Sequence, residues 1–312
     1  MIVEPPVFTV DNVREYLSGA EFEIEAPPRP WTGDDVAGLL IWQRVSAEDM
    51  QRLPALRAIV TGSIGFDHID LEAARQRGIW VCHVPDYCVD EVADTTIALL
   101  LALVRGVVAL DRSVREGRWD DHAAGALRTL SELRLGLVGF GRIGRAVARR
   151  SLAIGIETWA TDPLVPHETM AEAGVTSAGF EELLAGVDAV SLHLPFAPER
   201  EHFIGQGAIA KMRHGSFLVN TARGQLVDVD AVLAALESGR LGGAALDVLP
   251  DEPPSPNSIP QHPRLIVTPH AAWFSQKAER EVVRKATSAL RVALSGGMPE
   301  GVVVRPQKFA ID

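Results

Sequence analysis

A chain of 312 residues is too long for one small hydrophobic core and suits two domains. With 47% hydrophobic and 23% charged residues it has the composition of a folded globular protein, which excludes a disordered one. Its formal charge of −11 opposes binding to nucleic-acid phosphates and anionic lipid, so neither is expected as a partner, and an acidic substrate would need local cations to reverse the field.

The N-terminal MIVEPPVF has neither a basic n-region nor a long apolar h-region, so no signal peptide is expected. Three early strands are predicted, Leu39–Trp42, Arg57–Val60 and Ile79–Cys82. The amphipathic stretch Asp70–Arg77, stopped by Gly78, completes one crossover unit between the last two. Trp42, Gln43 and Arg44 follow the first of these strands and can face a substrate side chain. Arg44 reads either as a binder of a second anionic group or as a solvated arginine. The only cysteines, Cys82 and Cys88, match no zinc or redox spacing, so no metal is expected and a reduced, cytoplasmic setting fits.

A long helix rich in Leu, Ala and Val is predicted from about Val92 to Glu116, bridging two domains. Its longest apolar run, Ile97–Val104, is far short of the roughly 20 residues that cross a bilayer. Six further strands follow, Arg134–Val138, Glu157–Thr161, Asp188–His193, Ser216–Asn220, Ala244–Val248 and Leu265–Thr268, with helices between them. They predict a doubly wound parallel sheet of Rossmann type. The final helix, Gln276–Ser295, and the tail Gly301–Asp312 are expected to return to the first domain. The expected fold is thus α/β, a cofactor domain (97–277) inserted into a smaller flavodoxin-like substrate domain (1–96 and 278–312), with a ligand cleft between them.

The segment LRLGLVGFGRIGRAVARR places Gly139, Gly141 and Gly144 in G-x-G-x-x-G spacing between an apolar strand and a helix that begins near Ile143. That context turns a weak motif into a phosphate loop. Gly139 allows the turn, Gly141 admits a pyrophosphate, and Gly144 lets helix and strand pack. Asp162 stands at the end of the next strand, 18 residues after Gly144, where a carboxylate accepts ribose hydroxyls and repels a 2′-phosphate. With no Arg or Lys between Asp162 and Glu168, NAD is expected over NADP.

Three segments stand at the carboxyl ends of late strands, where open parallel sheets bind ligands: VNTARGQ, ALDVLPDEPP and VTPHAAW. They carry Arg223, Asp247, Glu252 and His270. Reducing a 2-keto acid needs a hydride donor, a proton donor and a cation for the carboxylate. Arg223 has the forked donor for the last task. His270 is the acid–base candidate, and a carboxylate at Glu252 would orient its ring and favour the protonated form. Asp247 could accept a bond from the nicotinamide carboxamide.

From IVTGSIGFDHIDLEAARQRGI to TPHAAWFS, and most specifically in NTARG, LDVxxxEP and TPH, the chain resembles the D-isomer-specific 2-hydroxyacid dehydrogenase family. The likeness lies nearest the branch of the C-terminal-binding proteins and phosphoglycerate dehydrogenases. The resemblance implies the Arg–Glu–His roles above and NAD in the larger domain. It also implies a homodimer packed through that domain, and a small 2-keto or 2-hydroxy acid as substrate. It further implies cofactor contacts from Arg142, Ile143, His193, Thr221, Ala222 and Thr96, and substrate contacts from Ile64, Gly65 and Trp273. Cys88 reads equally as a residue near the cofactor or a small buried hydrophobe. Trp273, three residues after His270, resembles the corepressor-like relatives; it reads as a residue narrowing the pocket or as a core aromatic. An NAD-responsive, corepressor-like binding protein is therefore the alternative class. The few residues before the first strand and after the last helix favour an enzyme. The segment TGSIGFDHID resembles formate dehydrogenases, but those carry Gln at the position of Glu252, so that alternative is weaker.

Overall fold

Short apolar runs pair in parallel to build two separate sheets. The computed structural model describes residues 1–17 and 22–306, and its contacts divide the chain into two compact units, Met1–Tyr87 with Ser275–Asp312, and Cys88–Phe274.

The first unit opens with β1 (Ile2–Val3), α1 (Val10–Glu15), β2 (Gly38–Ile41), α2 (Ala47–Gln51), β3 (Ala58–Thr61), α3 (Leu71–Arg77) and β4 (Trp80–Cys82). The helices start where hydroxyl or carboxylate side chains cap their free N–H groups, at Thr9, Ser46 and Asp70. Strands β1 to β4 pair in parallel and in order. Ile2 also bridges Glu25 in parallel on the outer side; counting that bridge as a rudimentary second strand gives the order 2-1-3-4-5 of flavodoxin-like sheets. The predicted early strands are displaced by one residue, since pairing begins at Gly38, Ala58 and Trp80. Strand β1 was not foreseen, because two residues carry no readable periodicity. A buried carboxylate, Glu4, clamps the turn after β2: it accepts the Trp42 and Gln43 N–H groups at 2.7 and 2.8 Å and pairs with Arg29, which stacks on Trp31.

The second unit begins with α4 (Val89–Val104) and α5 (Val107–Arg115). The single helix expected over 92–116 is therefore two, set 59° apart. Gly106 takes a left-handed conformation (φ +61°) and lies against Ala124, so the helix cannot continue through it. Next come β5 (Arg134–Val138), α6 (Arg142–Ala153), β6 (Glu157–Thr161), α7 (His167–Glu172), β7 (Thr176–Ser177), α8 (Phe180–Gly186) and β8 (Ala189–Leu192). The unit closes with α9 (Gln206–Lys211), β9 (Ser216–Asn220), α10 (Val229–Glu237), β10 (Leu241–Leu246) and β11 (Leu265–Val267). The sheet runs β7-β6-β5-β8-β9-β10-β11, all parallel, which is the doubly wound order extended by one strand. Seven strands replace the six expected; the addition, β7, is a two-residue edge. Strand β10 starts earlier than predicted, at Leu241 through a bulge, and stops at Leu246, where Asp247 turns the chain.

Alternate strand residues feed two cores. Leu135, Leu137, Ala189, Val219 and Ala245 pack with α4 and α6, while Val190, Leu192, Leu218, Ala244 and Leu246 pack with α8, α9 and α10. Burial of both faces explains why these strands read as continuous apolar runs.

The chain then returns to the first unit through α11 (Gln276–Leu294), capped by Ser275, whose buried stripe of Val282, Val283, Ala286 and Leu290 packs on β2 and β3. Strand β12 (Val302–Val304) adds to β4 in antiparallel. Residues 307–312 of the predicted tail lie outside the described residues.

Candidate active site

The order of the second sheet reverses between β5 and β8, and the phosphate loop lies there. Gly139 leaves β5 with φ +101°, and a side chain on it would overlap the carbonyl of His193 at the exit of β8. At Gly144, in the first turn of α6, a Cβ would overlap the Gly139 carbonyl. At Gly141 a Cβ would meet no protein atom within 4 Å, so the loop keeps open room beside a helix N-terminus that no side chain caps. That is a cradle fitted to a pyrophosphate. Arg142, which is exposed, and Ile143 form the first turn of the same helix.

Asp162 follows β6. Its carboxylate already accepts the Phe140 N–H at 2.8 Å and the Leu164 N–H at 2.9 Å, so it fixes the phosphate loop, and a ribose would engage its remaining lone pairs. His193 bonds to the Ser191 hydroxyl at 2.9 Å, and burial pushes its imidazole pKa down to about 3, so the ring is neutral. Thr96, fully buried on α4, bonds to the hydroxyl of Thr221 at 2.9 Å; this ties α4 to the segment that carries Arg223. Cys88 is buried at the start of α4.

The candidate residues Arg223, Glu252 and His270 follow the carboxyl ends of β9, β10 and β11, three neighbours in the sheet. After β9, the buried Asn220 accepts the Ala222 N–H at 3.0 Å and donates to the Arg223 carbonyl at 2.8 Å. This side-chain turn sets the direction of the half-buried Arg223. The next residue, Gly224, lies so close to Leu249 that a Cβ would overlap its carbonyl carbon. Gln225 donates to the Pro250 carbonyl at 2.9 Å. The loops after β9 and β10 therefore interlock.

Glu252, on the second loop, accepts the Leu249 N–H at 2.8 Å with Oε1. Its Oε2 lies 2.5 Å from Nδ1 of His270. Burial pushes the Glu252 pKa up, but the His270 hydrogen bond and charge, the Leu249 N–H and the Arg223 charge outweigh it and hold the carboxyl below its ordinary value. His270 itself takes a left-handed backbone (φ +51°).

Asp247, 1% exposed, organises the segment after β11. Its carboxylate accepts the Thr268 hydroxyl at 2.6 Å and the N–H groups of Ala271 and Ala272 at 3.0 and 2.9 Å. Thus Arg223, Asp247, Glu252 and His270 are brought together within one unit. Trp273 stacks edge-on with the exposed Phe274, ring centres 5.4 Å apart.

Ile64 and Gly65 lie in the first unit, in the loop after β3. Ser63 Oγ donates to the Gly65 carbonyl, Thr61 Oγ1 bonds to Ser63 and His68, and His83 Nδ1 lies 2.7 Å from the Ile64 carbonyl. Neither Asn220 nor His83 had been singled out in sequence. For Asn220 the signal was available, an Asn closing an apolar strand three residues before Arg223; for His83 it was not, because its partner is 19 residues away.

The family model described as "D-isomer specific 2-hydroxyacid dehydrogenase, NAD binding domain" matches residues 97–272. A glyoxylate reductase of Thermofilum pendens is 35% identical over 276 residues, covering 85% of this chain and 79% of the relative. A D-3-phosphoglycerate dehydrogenase of Methanocaldococcus jannaschii is 33% identical over 264 residues; these are 84% of this chain but only 50% of that longer protein. Among solved structures, a D-lactate dehydrogenase of Aquifex aeolicus in complex with NAD and lactic acid aligns with a TM-score of 0.86 at 28% identity, covering 98% of this chain and 99% of that one.

Proposed function

The chain belongs to the D-isomer specific 2-hydroxyacid dehydrogenase family, and from that premise we propose that it moves a hydride between NAD(H) and C2 of a small 2-keto or 2-hydroxy acid, handling the D-isomer. Its cofactor is NAD. The single observation that carries the reading is the 2.5 Å contact of His270 with Glu252, on neighbouring strand ends and within the influence of Arg223.

When bound, NADH supplies the hydride. The rest falls to the chain. With Nδ1 tied to Glu252, His270 carries its transferable proton on Nε2, which gives it to the new alkoxide in reduction and takes it back in oxidation. Arg223 engages the substrate carboxylate and polarises the adjacent carbonyl. The Ile64 and Gly65 N–H groups are assigned to carboxylate binding, and Trp273 to the side-chain pocket. Asp162 selects NAD over NADP. In this reading Cys88–Phe274 is the cofactor domain and the remainder is the substrate domain. On the same reading the protein is a homodimer; the exposed Val107, Val114 and Trp119, on and just after α5, support pairing through the cofactor domain. No single helix among the described residues is long and apolar enough to cross a membrane, and we place the enzyme in the cytoplasm.

The test is a panel of glyoxylate, pyruvate, hydroxypyruvate, phenylpyruvate and a phosphorylated 2-keto acid with NADH. Saturable oxidation of NADH with at least one of them, lost in His270→Ala, is expected. No turnover with any, together with stable capture of a protein partner, would overturn the reading. Sedimentation of the wild type and of Trp119→Glu tests the dimer: the variant should run as a monomer.

A further inference from the structure

We infer that His83 is a positioning residue that aims the amides of the Ile64–Gly65 loop at the substrate carboxylate; this rests on the carboxylate-binding role given to that loop above.

The argument starts from the peptide unit. A trans peptide is planar, with its C=O and N–H pointing in opposite directions. Fixing the carbonyl of one residue therefore fixes the direction of the next N–H. The carbonyl of Ser63 shares its peptide with the Ile64 N–H, and the carbonyl of Ile64 shares its peptide with the Gly65 N–H. Both carbonyls are pinned by consecutive residues just past β4: Val84 N–H donates to the Ser63 carbonyl at 3.1 Å, and His83 Nδ1 lies 2.7 Å from the Ile64 carbonyl. A carbonyl only accepts, so Nδ1 bears the proton. The third carbonyl, of Gly65, accepts the Ser63 hydroxyl.

All three carbonyls are thus bonded from within the fold. The N–H groups of Ile64 and Gly65 point the other way, and among the described residues neither has an acceptor. Two adjacent, unpartnered N–H groups aimed to one side form a concavity for an anion. A donor on the far end of the peptide also polarises the N–H at the near end.

His83 is itself held in place. Its N–H donates to the Gly301 carbonyl at 2.9 Å, and its ring meets Phe66 edge-on at 5.2 Å. Strand β4 thereby sets the aim of a loop that follows β3. Val84 contributes only its backbone, so His83 is the side chain through which the aim can be altered.

The experiment measures binding of oxamate, an unreactive 2-keto acid analogue bearing the carboxylate, to the enzyme–NADH complex, alongside steady-state kinetics on the best keto acid. His83→Leu and His83→Phe remove the donor; His83→Asn keeps one. The donor-less variants should weaken oxamate and raise the keto-acid KM by about tenfold, with kcat and NADH affinity within about twofold, because the lost contact acts on ground and transition states alike. The asparagine variant should recover most of the loss. Unchanged oxamate affinity in a folded donor-less variant overturns the inference. So does unfolding of every donor-less variant, since the contact would then be structural. Gly65→Pro, which deletes one N–H outright, separates the two layers. If it weakens oxamate while the His83 variants do not, only the role of His83 fails. If neither changes oxamate binding, the carboxylate reading of the loop fails with it.

Discussion

The main-chain N–H of His270 donates to the carbonyl of Asp247 at 2.7 Å, while the Asp247 carboxylate accepts the N–H groups of the next two residues. One residue at the end of β10 thereby shapes the segment that presents the imidazole. Asp247→Asn exchanges an all-acceptor carboxylate for an amide that turns a donor toward those N–H groups. Such a change in a buried site costs about 3 kcal/mol. Urea unfolding should show that loss, and kcat/KM should fall at least tenfold; wild-type stability in the variant would deny Asp247 this role.

Loss of the imidazole removes the proton donor but leaves the cofactor site intact. His270→Ala should lower kcat by about 10²–10⁴. NADH affinity, measured by fluorescence titration, should stay within about threefold. An unaltered kcat removes the assignment.

The depressed pKa of Glu252 has a definite sign in stability. A carboxyl whose folded pKa lies below its unfolded value stabilises the fold above the unfolded value, and that contribution disappears as pH falls through the folded one. Thermal unfolding of the wild type and Glu252→Gln should therefore differ most near neutrality and converge below the ordinary carboxyl range, about pH 4.5. A constant difference down to pH 3 contradicts the charged pair.

His193 acts with the same sign but over a higher pH range. Its unfolded imidazole takes up a proton near pH 6.5, but the folded one stays neutral to about pH 3. Between those values the unfolded state binds one more proton, so stability falls as the solution is acidified, by about 1.4 kcal/mol per pH unit from this group. His193→Gln should flatten the acid side of the stability profile between pH 6 and 4; an unchanged slope shows that the ring is accessible to protons.

Coenzyme choice is assigned to one carboxylate. Wild-type enzyme should prefer NADH to NADPH by at least 100-fold in kcat/KM, and Asp162→Ser should reduce that preference by about tenfold or more, as removal of a like-charge clash allows. A wild-type preference for NADPH would reverse the argument.

Much of this architecture could be read from residues. Strands β5 and β9 lie where alternation of apolar runs with helices placed them, because both faces of the sheet are buried there and the signal is continuous; β6 lies where it was expected on its alternating burial. The spacing of Gly139, Gly141 and Gly144 located the phosphate loop, which lies where the sheet order reverses. Two-residue strands such as β1 and β7 carry no period, so they escaped. The break at Gly106 escaped as well, since the flanking sequence on both sides favours helix and the close packing of Ala124 that leaves no room for a side chain there belongs to the finished fold. In the site, residue types announced Arg223, Glu252 and His270. The supporting roles were less legible: Asp247 reads from the sequence only as a partner for the nicotinamide carboxamide, and it and Asn220 act through main-chain atoms whose positions depend on the finished fold.

The close approach of Gly224 to Leu249, which leaves no room for a Cβ, has a bearing on how such a protein diversifies. Because the loops carrying Arg223 and Glu252 are wedged together, the spacing of their backbones is fixed where they leave the sheet and is poorly suited to stepwise adjustment. The turn at residues 42–44 belongs to another strand and another unit. On the reading proposed above, changes in that turn leave the wedge that spaces the Arg223 and Glu252 loops untouched, so the reaction can be inherited while the substrate is renegotiated.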